Sequence, residues 1–383
     1  MHKRYLFSSI KSIACIFLLG LATVPAYAEK ETTIFQTEKH RVKAEIITED
    51  LEYPWSLAFL PDGKMLVTEK PGRLRLIDKD GKLNPSPIAG VPKVKDSGQG
   101  GLMDIILHPK FNENRWIYIS YSATGDGGYG TEVARAKLID QQLKELEVIF
   151  RALPKKSGGR HFGSRLLFDK AGKLFLTIGE RGKRSWAQEL DKHPGSTIRL
   201  NDDGSVPKDN PFINNSKAKP EIYTYGNRNA QGMALHPETN EIWLHEHGPQ
   251  GGDEINIIKA GVNYGWPVIT YGVNYVIGTK IGEGTAKAGM EQPLHYWDPS
   301  IAPSGMAFYT GSELDNWKGD LFVGSLVFES LVRLELKGNK VTHEERLFEN
   351  EFGRIRDVRM GPDEYLYFLV DDSEGLLIRL RPI

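Results

Sequence analysis

Short apolar segments of strand length recur along the chain, and helical periodicity is nearly absent. In segments such as KMLVTE, RLRLID, KLFLTIGE and EIWLHEH, apolar and polar residues alternate with a period of two, and turn residues flank most of them. The best candidate for a short helix is RSWAQELDK. The pattern therefore predicts an all-β protein.

One motif recurs six times: a short apolar strand, a turn rich in Pro, Asp or Gly, and a second apolar strand. The copies are WSLAFLPDGKMLVTE, GLMDIILHPKFNENRWIYISY, SRLLFDKAGKLFLTIGE, QGMALHPETNEIWLHEH, SGMAFYTGSELDNWKGDLFVGS and RDVRMGPDEYLYFLVDD. Pro61 and Pro362 lie 301 residues apart over five intervals, which gives about 60 residues per repeat, somewhat longer than a usual propeller blade. We therefore predict a six-bladed β-propeller, whose radial sheets protect their edges. Two β-sandwiches are the alternative, but no linker or composition break separates two halves.

Residues 1–28 have the parts of a secretory signal peptide. A basic start, MHKRYLFSSIK, precedes the apolar stretch IACIFLLGLATV, and Ala26-Tyr27-Ala28 forms an A-x-A cleavage site. The apolar stretch is short for a stable transmembrane span. We expect cleavage after residue 28 and a single domain from 29 to 383 that is periplasmic or secreted and not inserted in a membrane. An uncleaved anchor is the alternative.

Charge and cysteine content exclude some classes of partner. The chain has 49 basic and 50 acidic side chains, and residues 1–28 hold three of the bases and none of the acids, which leaves 46 against 50, a net charge of −4. That balance gives no reason to expect a nucleic acid or an anionic membrane as partner. Cys15 is the only cysteine, so residues 29–383 contain no disulfide and depend on their core.

Polar residues just outside the apolar repeats are the candidates for chemistry, because a propeller site is built from loops at one end of the channel. His161 in SGGRHFGSRLLFD precedes the first strand of a repeat and is suited to act as a general base. A histidine on the loop surface is the alternative. Gln99 in DSGQGGLMD has the equivalent place one repeat earlier and could hydrogen-bond a ligand.

Arginines occupy similar places in two other repeats. Arg228 and Asn229 in YGNRNAQGMALHP precede a first strand, where an arginine can hold an anion or a developing oxyanion. A hydrogen bond between blades is the alternative. Arg354 and Arg356 in GRIRDV alternate, so in a strand they face the same side and need acidic partners or a ligand with several carboxylates. Together these arginines indicate a polyanionic small molecule in the channel.

The stretch HEHGPQGGDEIN offers two kinds of metal site. His245 and His247 would face one side of a strand, as in some zinc sites. The Gly248-Pro249 turn exposes backbone carbonyl oxygens, which calcium accepts. Periodicity does not choose between the two.

The chain resembles the soluble, pyrroloquinoline quinone (PQQ)-dependent glucose/sorbosone dehydrogenases, and among them the bacterial periplasmic aldose sugar dehydrogenases. The resemblance covers nearly all of residues 29–383. It is carried, in order, by YPWSLAFLPDGKMLVTEKPGRLRLI, GQGGLMDIILHP, HFGSRLLFD, YGNRNAQGMALHP, HGPQGGDEIN, GVNYGWP, APSGMAFY and GRIRDV. The ordered set is specific, although single motifs are not. The family fold is a six-bladed propeller, in agreement with the repeat count.

The resemblance implies oxidation of aldose sugars at C1 to the lactone, with transfer of the C1 hydride to C5 of PQQ. His161 matches the catalytic histidine that takes the proton from the C1 hydroxyl, and Arg228 is counted with it as catalytic. The positions that match quinone-contacting residues are Gln99, Arg228 and Asn229. Those that match residues holding PQQ carboxylates are Arg354 and Arg356.

The resemblance also implies two calcium sites. Gly248 and Pro249 match the turn whose carbonyl oxygens bind the catalytic calcium, which polarises the C5 carbonyl of the quinone as a Lewis acid. Glu254 and Tyr264 resemble a second, structural site. The two histidines of the stretch are then mostly bystanders.

Loops near the expected site show one further candidate and two departures from the family. Tyr275, in the Gly-rich loop from Tyr271 to Gly289, is expected at the mouth of the site, in contact with cofactor or substrate. Val327 stands where the family commonly has a lysine that contacts PQQ, and Arg333 could substitute for it. His247 stands where relatives often have glutamine.

The sequence favours a PQQ- and calcium-dependent aldose dehydrogenase over two alternatives. A catalytically silent binding propeller is supported by Val327 and opposed by His161, Gln99 and the arginines. A calcium-dependent sugar lactonase would need a carboxylate-rich metal site in the channel, whereas the Gly248-Pro249 turn offers carbonyls. The preferred aldose, the external electron acceptor and the choice between monomer and homodimer stay open.

Overall fold

The computed structural model describes residues 32–383, whose strands form six antiparallel sheets. The two strands before the first repeat are β1 (Thr32–Gln36) and β2 (Arg41–Leu51). The first sheet has three strands: β3 (Pro54–Phe59), β4 (Met65–Glu69) and β5 (Arg73–Ile77). The second has four: β6 (Leu102–Leu107), β7 (Trp116–Gly125), β8 (Gly128–Ile139) and β9 (Gln142–Arg151).

The remaining four sheets follow in chain order. The third comprises β10 (Leu166–Phe168), β11 (Leu174–Ile178), β12 (Ser196–Leu200) and β13 (Ile222–Tyr225). The fourth comprises β14 (Ala230–Leu235), β15 (Ile242–Glu246), β16 (Asp253–Ile257) and β17 (His295–Trp297). The fifth comprises β18 (Pro303–Phe308), β19 (Leu321–Ser325), β20 (Ser330–Lys337) and β21 (Lys340–Leu347). The sixth contains β22 (Ile355–Met360), β23 (Leu366–Val370) and β24 (Gly375–Pro382).

The sheets are the blades of a propeller. Their innermost strands β3, β6, β10, β14, β18 and β22 contact one another in that order, and β22 contacts β3 again, which closes a ring. In every blade, the two strands of the sequence repeat are the two innermost strands. The six-bladed β-propeller expected from the repeats is therefore confirmed, and the alternative of two β-sandwiches is wrong.

The N-terminal strands complete the sixth blade. β2 pairs antiparallel with β24, with Val42 opposite Pro382 and Ile46 opposite Ile378, and β1 pairs with β2 at the outer edge. Strands from the two ends of the described chain thus share one sheet. The first and sixth blades cannot separate without breaking these hydrogen bonds.

The second strand of most blades is buried along its whole length. Every residue of β4, β11, β15, β19 and β23 is buried. Each blade packs against a neighbour on both faces, so these strands contain apolar or small residues at nearly every position. One cluster between the fifth and sixth blades contains Trp317, Phe322 and Phe368.

Helical structure in residues 32–383 is limited to three short turns. They are α1 (Phe111–Asn114) and two 3-10 helices, Arg184–Gln188 and Asp315–Trp317. The short helix expected in RSWAQELDK is the first of these 3-10 helices. No helix among residues 32–383 is long and apolar enough to cross a membrane. The predicted signal peptide and Cys15 lie outside the described residues.

Ion pairs between blades cross the centre of the channel. Arg165 Nη1 lies 3.1 Å from Asp104 Oδ1 and 2.9 Å from Asp357 Oδ1, and Arg359 Nη2 lies 2.7 Å from Asp104 Oδ1. All four residues are at or next to innermost strands of the second, third and sixth blades. The Trp55 ring, centred 4.5 Å from the Arg165 guanidinium, covers this network.

Candidate active site

His161 is held by backbone contacts in the loop between β9 and β10. Its N–H donates to Gln99 Oε1 over 2.7 Å, and its φ of 57° lies in the left-handed region. Gly179 lies beside its carbonyl, and a side chain there would stand 2.3 Å from that oxygen. Gln99 is fixed in turn, because its N–H donates to the Gly159 carbonyl over 2.7 Å. The structure thus brings together two residues that the repeats made equivalent.

The His161 imidazole contacts a buried carboxylate that follows β11. Its Nδ1 lies 2.6 Å from Oε1 of Glu180. A carboxylate only accepts, so Nδ1 carries the proton and the lone pair is on Nε2. Burial lowers the pKa of His161, Glu180 partly offsets this, and the charge of Arg228 lowers it further. The imidazole is therefore neutral at neutral pH and can accept a proton at Nε2.

Arg228 and Asn229 lie in the loop before β14, beside that pair. Glu180 N–H donates to the Arg228 carbonyl over 2.9 Å, and Gly163 N–H donates to Asn229 Oδ1 over 3.1 Å. The Arg228 guanidinium donates to the His247 carbonyl over 3.1 Å. The side-chain nitrogen of Asn229 is buried and has no hydrogen-bond partner in residues 32–383. Buried donors without a partner are rare, so this one marks a place that a ligand can satisfy.

Arg354 and Arg356 line a cavity of about 620 Å³ that also includes Gln99. The lining comes from the first residues of innermost strands, from the loops that precede these strands and from the loops that follow second strands, so the cavity lies at one end of the channel. Arg356 donates to Gln231 Oε1 over 3.0 Å and pairs with Asp371 over 2.8 Å, and Arg354 lies 3.6 Å from the same carboxylate. Burial alone raises the pKa of Asp371, but the two arginines hold it below its usual value. One carboxylate thus faces two guanidinium groups, which leaves positive charge for an anionic ligand.

The Gly248-Pro249 turn consists of two buried residues. Gly248 N–H donates to Asp253 Oδ1 over 2.8 Å, and a side chain at Gly248 would stand 2.3 Å from the Gly251 carbonyl. These contacts keep the turn tight. Neither carbonyl accepts a hydrogen bond from any residue in the range 32–383. Oxygens of this kind are suitable ligands for Ca²⁺.

A second cavity, of about 10 Å³, brings two buried carboxylates together. Its lining includes Glu246, Glu254 and Tyr264, and Glu246 lies opposite Glu254 across β15 and β16. Burial raises the pKa of Glu246 to about 7 and that of Glu254 well above its usual value, and the charge of Glu246 raises the latter further. A divalent cation between them would remove this repulsion. The Tyr264 hydroxyl donates to the Ile257 carbonyl over 2.7 Å, so this hydroxyl is already engaged within the protein.

His245 and His247 have different surroundings. His245 is fully buried, and its Nε2 would lie only 1.9 Å from a side chain at Gly232. His247 lines both cavities, and its Nε2 contacts the Pro303 carbonyl. Burial lowers the pKa of both histidines, that of His245 to about 3. Residues 32–383 contain no group of three or more His, Cys, Asp or Glu that could hold a metal.

Tyr275 lies at the exposed tip of the loop after the turn. It is 56% exposed, and its neighbours Val276 and Ile277 are 99% and 72% exposed. The adjacent Asn274 anchors the loop, because its Oδ1 accepts a hydrogen bond from Arg184 over 2.8 Å. Tyr275 lines neither of the two cavities, so its contact with cofactor or substrate stays a prediction.

Arg333 does not substitute for a lysine at Val327. Val327 is 57% exposed and follows Leu326, which lines the larger cavity. Arg333 is fully buried, and its guanidinium donates to Asp320 and Glu345, each over 2.7 Å. The expectation about Arg333 is wrong because these two carboxylates already engage its donors.

Sequence reasoning missed four acidic residues that share one place in the repeats. Each ends or closely follows a second strand, and they are Glu69, Glu180, Glu246 and Asp371. Three of them shape the site through His161, Arg356 and the smaller cavity. An acid recurring at this position in four of six repeats was the signal that would have identified them.

The chain belongs to the glucose/sorbosone dehydrogenase family. The model of that family, described as Glucose / Sorbosone dehydrogenase, matches residues 51–379. That range contains both cavities, the His161–Glu180 pair and the Gly248-Pro249 turn. The resemblance inferred from the motifs is therefore confirmed.

Individual relatives agree with this assignment. The aldose sugar dehydrogenase YliI of Escherichia coli (strain K12) is 48% identical over 347 residues, 89% of this chain and 93% of that protein. A crystal structure of the soluble aldose sugar dehydrogenase from Escherichia coli, in the apo form, superposes with a TM-score of 0.87 at 46% identity, covering 89% of this chain and 100% of that one. The PQQ-bound aldose sugar dehydrogenase from Streptomyces coelicolor has a TM-score of 0.73 at 26% identity, covering 92% and 99%.

Proposed function

We propose that the protein oxidises aldose sugars at C1 to the lactone, with PQQ and Ca²⁺ as cofactors. The observation that carries this proposal is the neutral, buried imidazole of His161, held by Glu180 beside a cavity lined by Arg354 and Arg356. Family membership, the activity named for the Escherichia coli relative and the cofactor bound by the Streptomyces coelicolor relative support it.

The donors around the larger cavity fit a quinone with several carboxylates. Arg354 and Arg356 would hold carboxylates, because guanidinium groups bind them through charge-assisted hydrogen bonds. Arg356 Nε, like the Asn229 side-chain nitrogen, is a buried donor without a partner in residues 32–383. Asn229, Gln99 and Arg228 would contact the quinone, and Tyr275 would contact cofactor or substrate at the mouth.

The hard oxygen donors fit calcium. The carbonyl oxygens of Gly248 and Pro249 would bind the catalytic Ca²⁺. Glu254 and the Tyr264 carbonyl would bind a structural Ca²⁺, with Glu246 as a further ligand from the same cavity. Burial raises the pKa of both carboxyl groups, and the charge of Glu246 raises the pKa of Glu254 further. A bound cation would stabilise the two carboxylates in their ionised form, which supports a metal between them.

The protein residues provide the proton transfer and the electrostatics. When bound, PQQ would supply the acceptor for the C1 hydride of the sugar, and Ca²⁺ would supply the Lewis acid that polarises this acceptor. His161 Nε2 takes the proton of the C1 hydroxyl, and Glu180 holds the required tautomer and stabilises the positive charge that His161 gains. Arg228 stabilises negative charge on the reacting oxygen. Burial lowers the pKa of His161, and the charge of Arg228 lowers it further, so the imidazole is unprotonated before the reaction.

The cellular setting follows from the sequence expectations. We propose a periplasmic or secreted enzyme, a single domain after removal of residues 1–28, without membrane insertion or nucleic-acid partner. It works as a monomer or homodimer, and its electrons pass to an external acceptor.

Reconstitution tests the function. Residues 29–383 are purified, stripped of metal, and assayed for dye reduction with glucose and other aldoses in the presence of PQQ, Ca²⁺, both or neither. Turnover should require both additions. Turnover without PQQ, or hydrolysis of a sugar lactone instead, would refute the proposal, and calcium binding without PQQ binding would favour the binding propeller.

A further inference from the structure

The larger cavity contains a lysine on a different blade from the arginine pair. Lys70 follows β4 in the first blade and lines the cavity together with Gln99, Arg354 and Arg356. Lys70, Arg354 and Arg356 are the lysine and arginine residues of the lining. Positive charge therefore enters the cavity from the first blade as well as from the sixth.

The backbone and the start of the Lys70 side chain are fixed. Its N–H donates to the Tyr53 carbonyl over 3.0 Å, and its own carbonyl accepts from Leu102 N–H over 2.9 Å. Gly101 packs against it, and a side chain there would stand 2.7 Å from Lys70 Cγ. These contacts hold the base of the Lys70 side chain at the edge of the cavity.

The present partner of that ammonium group is a weak competitor. Lys70 Nζ lies 2.7 Å from Asp96 Oδ1, and the two side chains are 25% and 41% exposed. Solvent-exposed ion pairs contribute little, because water screens them and both side chains lose freedom. By contrast, the Asp371 side chain is only 13% exposed and pairs with both arginines. Lys70 can exchange Asp96 for a ligand carboxylate at small cost.

We propose that Lys70 is a third anion contact of the site and binds a carboxylate of the cofactor on the first-blade side of the cavity. PQQ carries three carboxylates, and the arginine pair is grouped on the sixth blade. This inference rests on the proposed function, because it assumes that PQQ is the ligand. It adds a residue that orients the ligand across the cavity.

Titration of the metal-loaded, PQQ-free protein with PQQ tests this proposal. The variants are Lys70→Met, which keeps the stem but removes the charge, and Lys70→Arg, which restores the charge. The matched control is Lys64→Met, because Lys64 is also ion-paired, to Asp62 over 2.8 Å, but lies in the turn between β3 and β4. We expect the Kd for PQQ to rise about tenfold in Lys70→Met, which is the lower end of the range expected for loss of a hydrogen bond to a charged group. Lys70→Arg and Lys64→Met should stay near wild type.

A second variant keeps the test informative if Lys70→Met folds poorly. Asp96→Asn removes the ion pair of the Lys70 ammonium group, so this variant should bind PQQ with a lower Kd than wild type. Added salt should weaken PQQ binding more steeply in Asp96→Asn than in Lys70→Met. If wild type, Lys70→Met and Asp96→Asn have equal Kd values and unchanged melting temperatures, the role proposed for Lys70 is overturned, while the proposed function is not. A wild-type protein that does not bind PQQ would instead overturn the proposed function and this inference with it.

Discussion

The ring nitrogens of the three site histidines have different surroundings, and the roles proposed for these residues rest on that difference. His161 Nδ1 is engaged by Glu180, which leaves the Nε2 lone pair able to accept a proton. The His247 ring is tied to the Pro303 carbonyl, and the His245 ring is enclosed beside Gly232. Only the first arrangement combines a neutral base with a buried carboxylate that can stabilise the protonated form.

Replacement of His161 by alanine should abolish turnover, with a loss on the order of 10²–10⁴ from general-base catalysis alone.

His247→Ala should keep most of the activity. His245→Ala should also keep it but lower the melting temperature, because a fully buried ring leaves a cavity. Steady-state dye reduction and circular dichroism would measure both properties. Full loss of activity in a well-folded His245→Ala protein would reverse the assignment.

Glu180→Gln should move the acidic limb of the pH–rate profile to lower pH. The proposed mechanism requires neutral His161, so wild-type activity should fall as pH drops through a His161 pKa that burial holds below the usual value. Glu180 raises that pKa, so its neutral replacement lowers it further. The plateau kcat should fall as well, because the imidazolium loses its partner. The measurement is kcat/KM against pH, with the exposed Glu238→Gln as control, and an unmoved limb would contradict the assignment.

At the scale of the single blade, space next to the channel limits which residues the innermost strands can carry. Gly232 in β14 faces the His245 ring from β15, and Gly305 in β18 lies where a side chain would stand 2.4 Å from Asp357 Oδ1. Glycine is needed at these strand positions because neighbouring side chains fill the room that a methyl group would take.

Gly232→Ala should destabilise the protein by about 1–3 kcal/mol, the usual cost of overpacking a core. Its methyl group would stand 1.9 Å from His245 Nε2. Urea unfolding would measure the change in free energy of unfolding, with Gly284→Ala as control, since no atom lies within 4 Å of a side chain there. In the double variant with His245→Ala the two losses should be less than additive. Additive losses would show that the two residues do not clash.

At the scale of the whole molecule, two connections hold the ring together. At the rim, β2 from one end of the described chain pairs with β24 from the other. In the channel, the ion pairs of Arg165 join the second, third and sixth blades beneath the larger cavity. The cavity floor therefore depends on closure of the ring.

Asp104→Asn should lower the free energy of unfolding by about 3–5 kcal/mol, because removal of one partner leaves buried positive charge uncompensated. Asp104 pairs with Arg165 and Arg359 and accepts a hydrogen bond from Leu166 N–H over 2.7 Å. Urea unfolding followed by tryptophan fluorescence would show the effect, and the exposed Asp126→Asn should behave as wild type. Equal stability of the two variants would mean that the channel network contributes nothing to closure.

Much of the fold and several site residues were determined by the sequence itself. Strand alternation and turns such as Pro61-Asp62-Gly63 are local features, so six copies of one motif predicted six blades. His161, Gln99, Arg228 and the pair Arg354 and Arg356 also stood out locally, as polar residues between apolar strands. The order of motifs was sufficient to identify the family.

Only the tertiary structure decided which of these residues meet. Glu180 is 19 residues from His161, and Arg165 is 61 and 192 residues from its two aspartates, so periodicity carries no information about these pairs. The same holds for Arg333, whose partners come from β21 and the turn before β19, and for Lys70, which enters the larger cavity from another blade. Pairing of neighbouring strands follows from local chain geometry, whereas side-chain contacts between separate strands and loops, within one blade or between blades, exist only once the sheets have folded and the ring has closed.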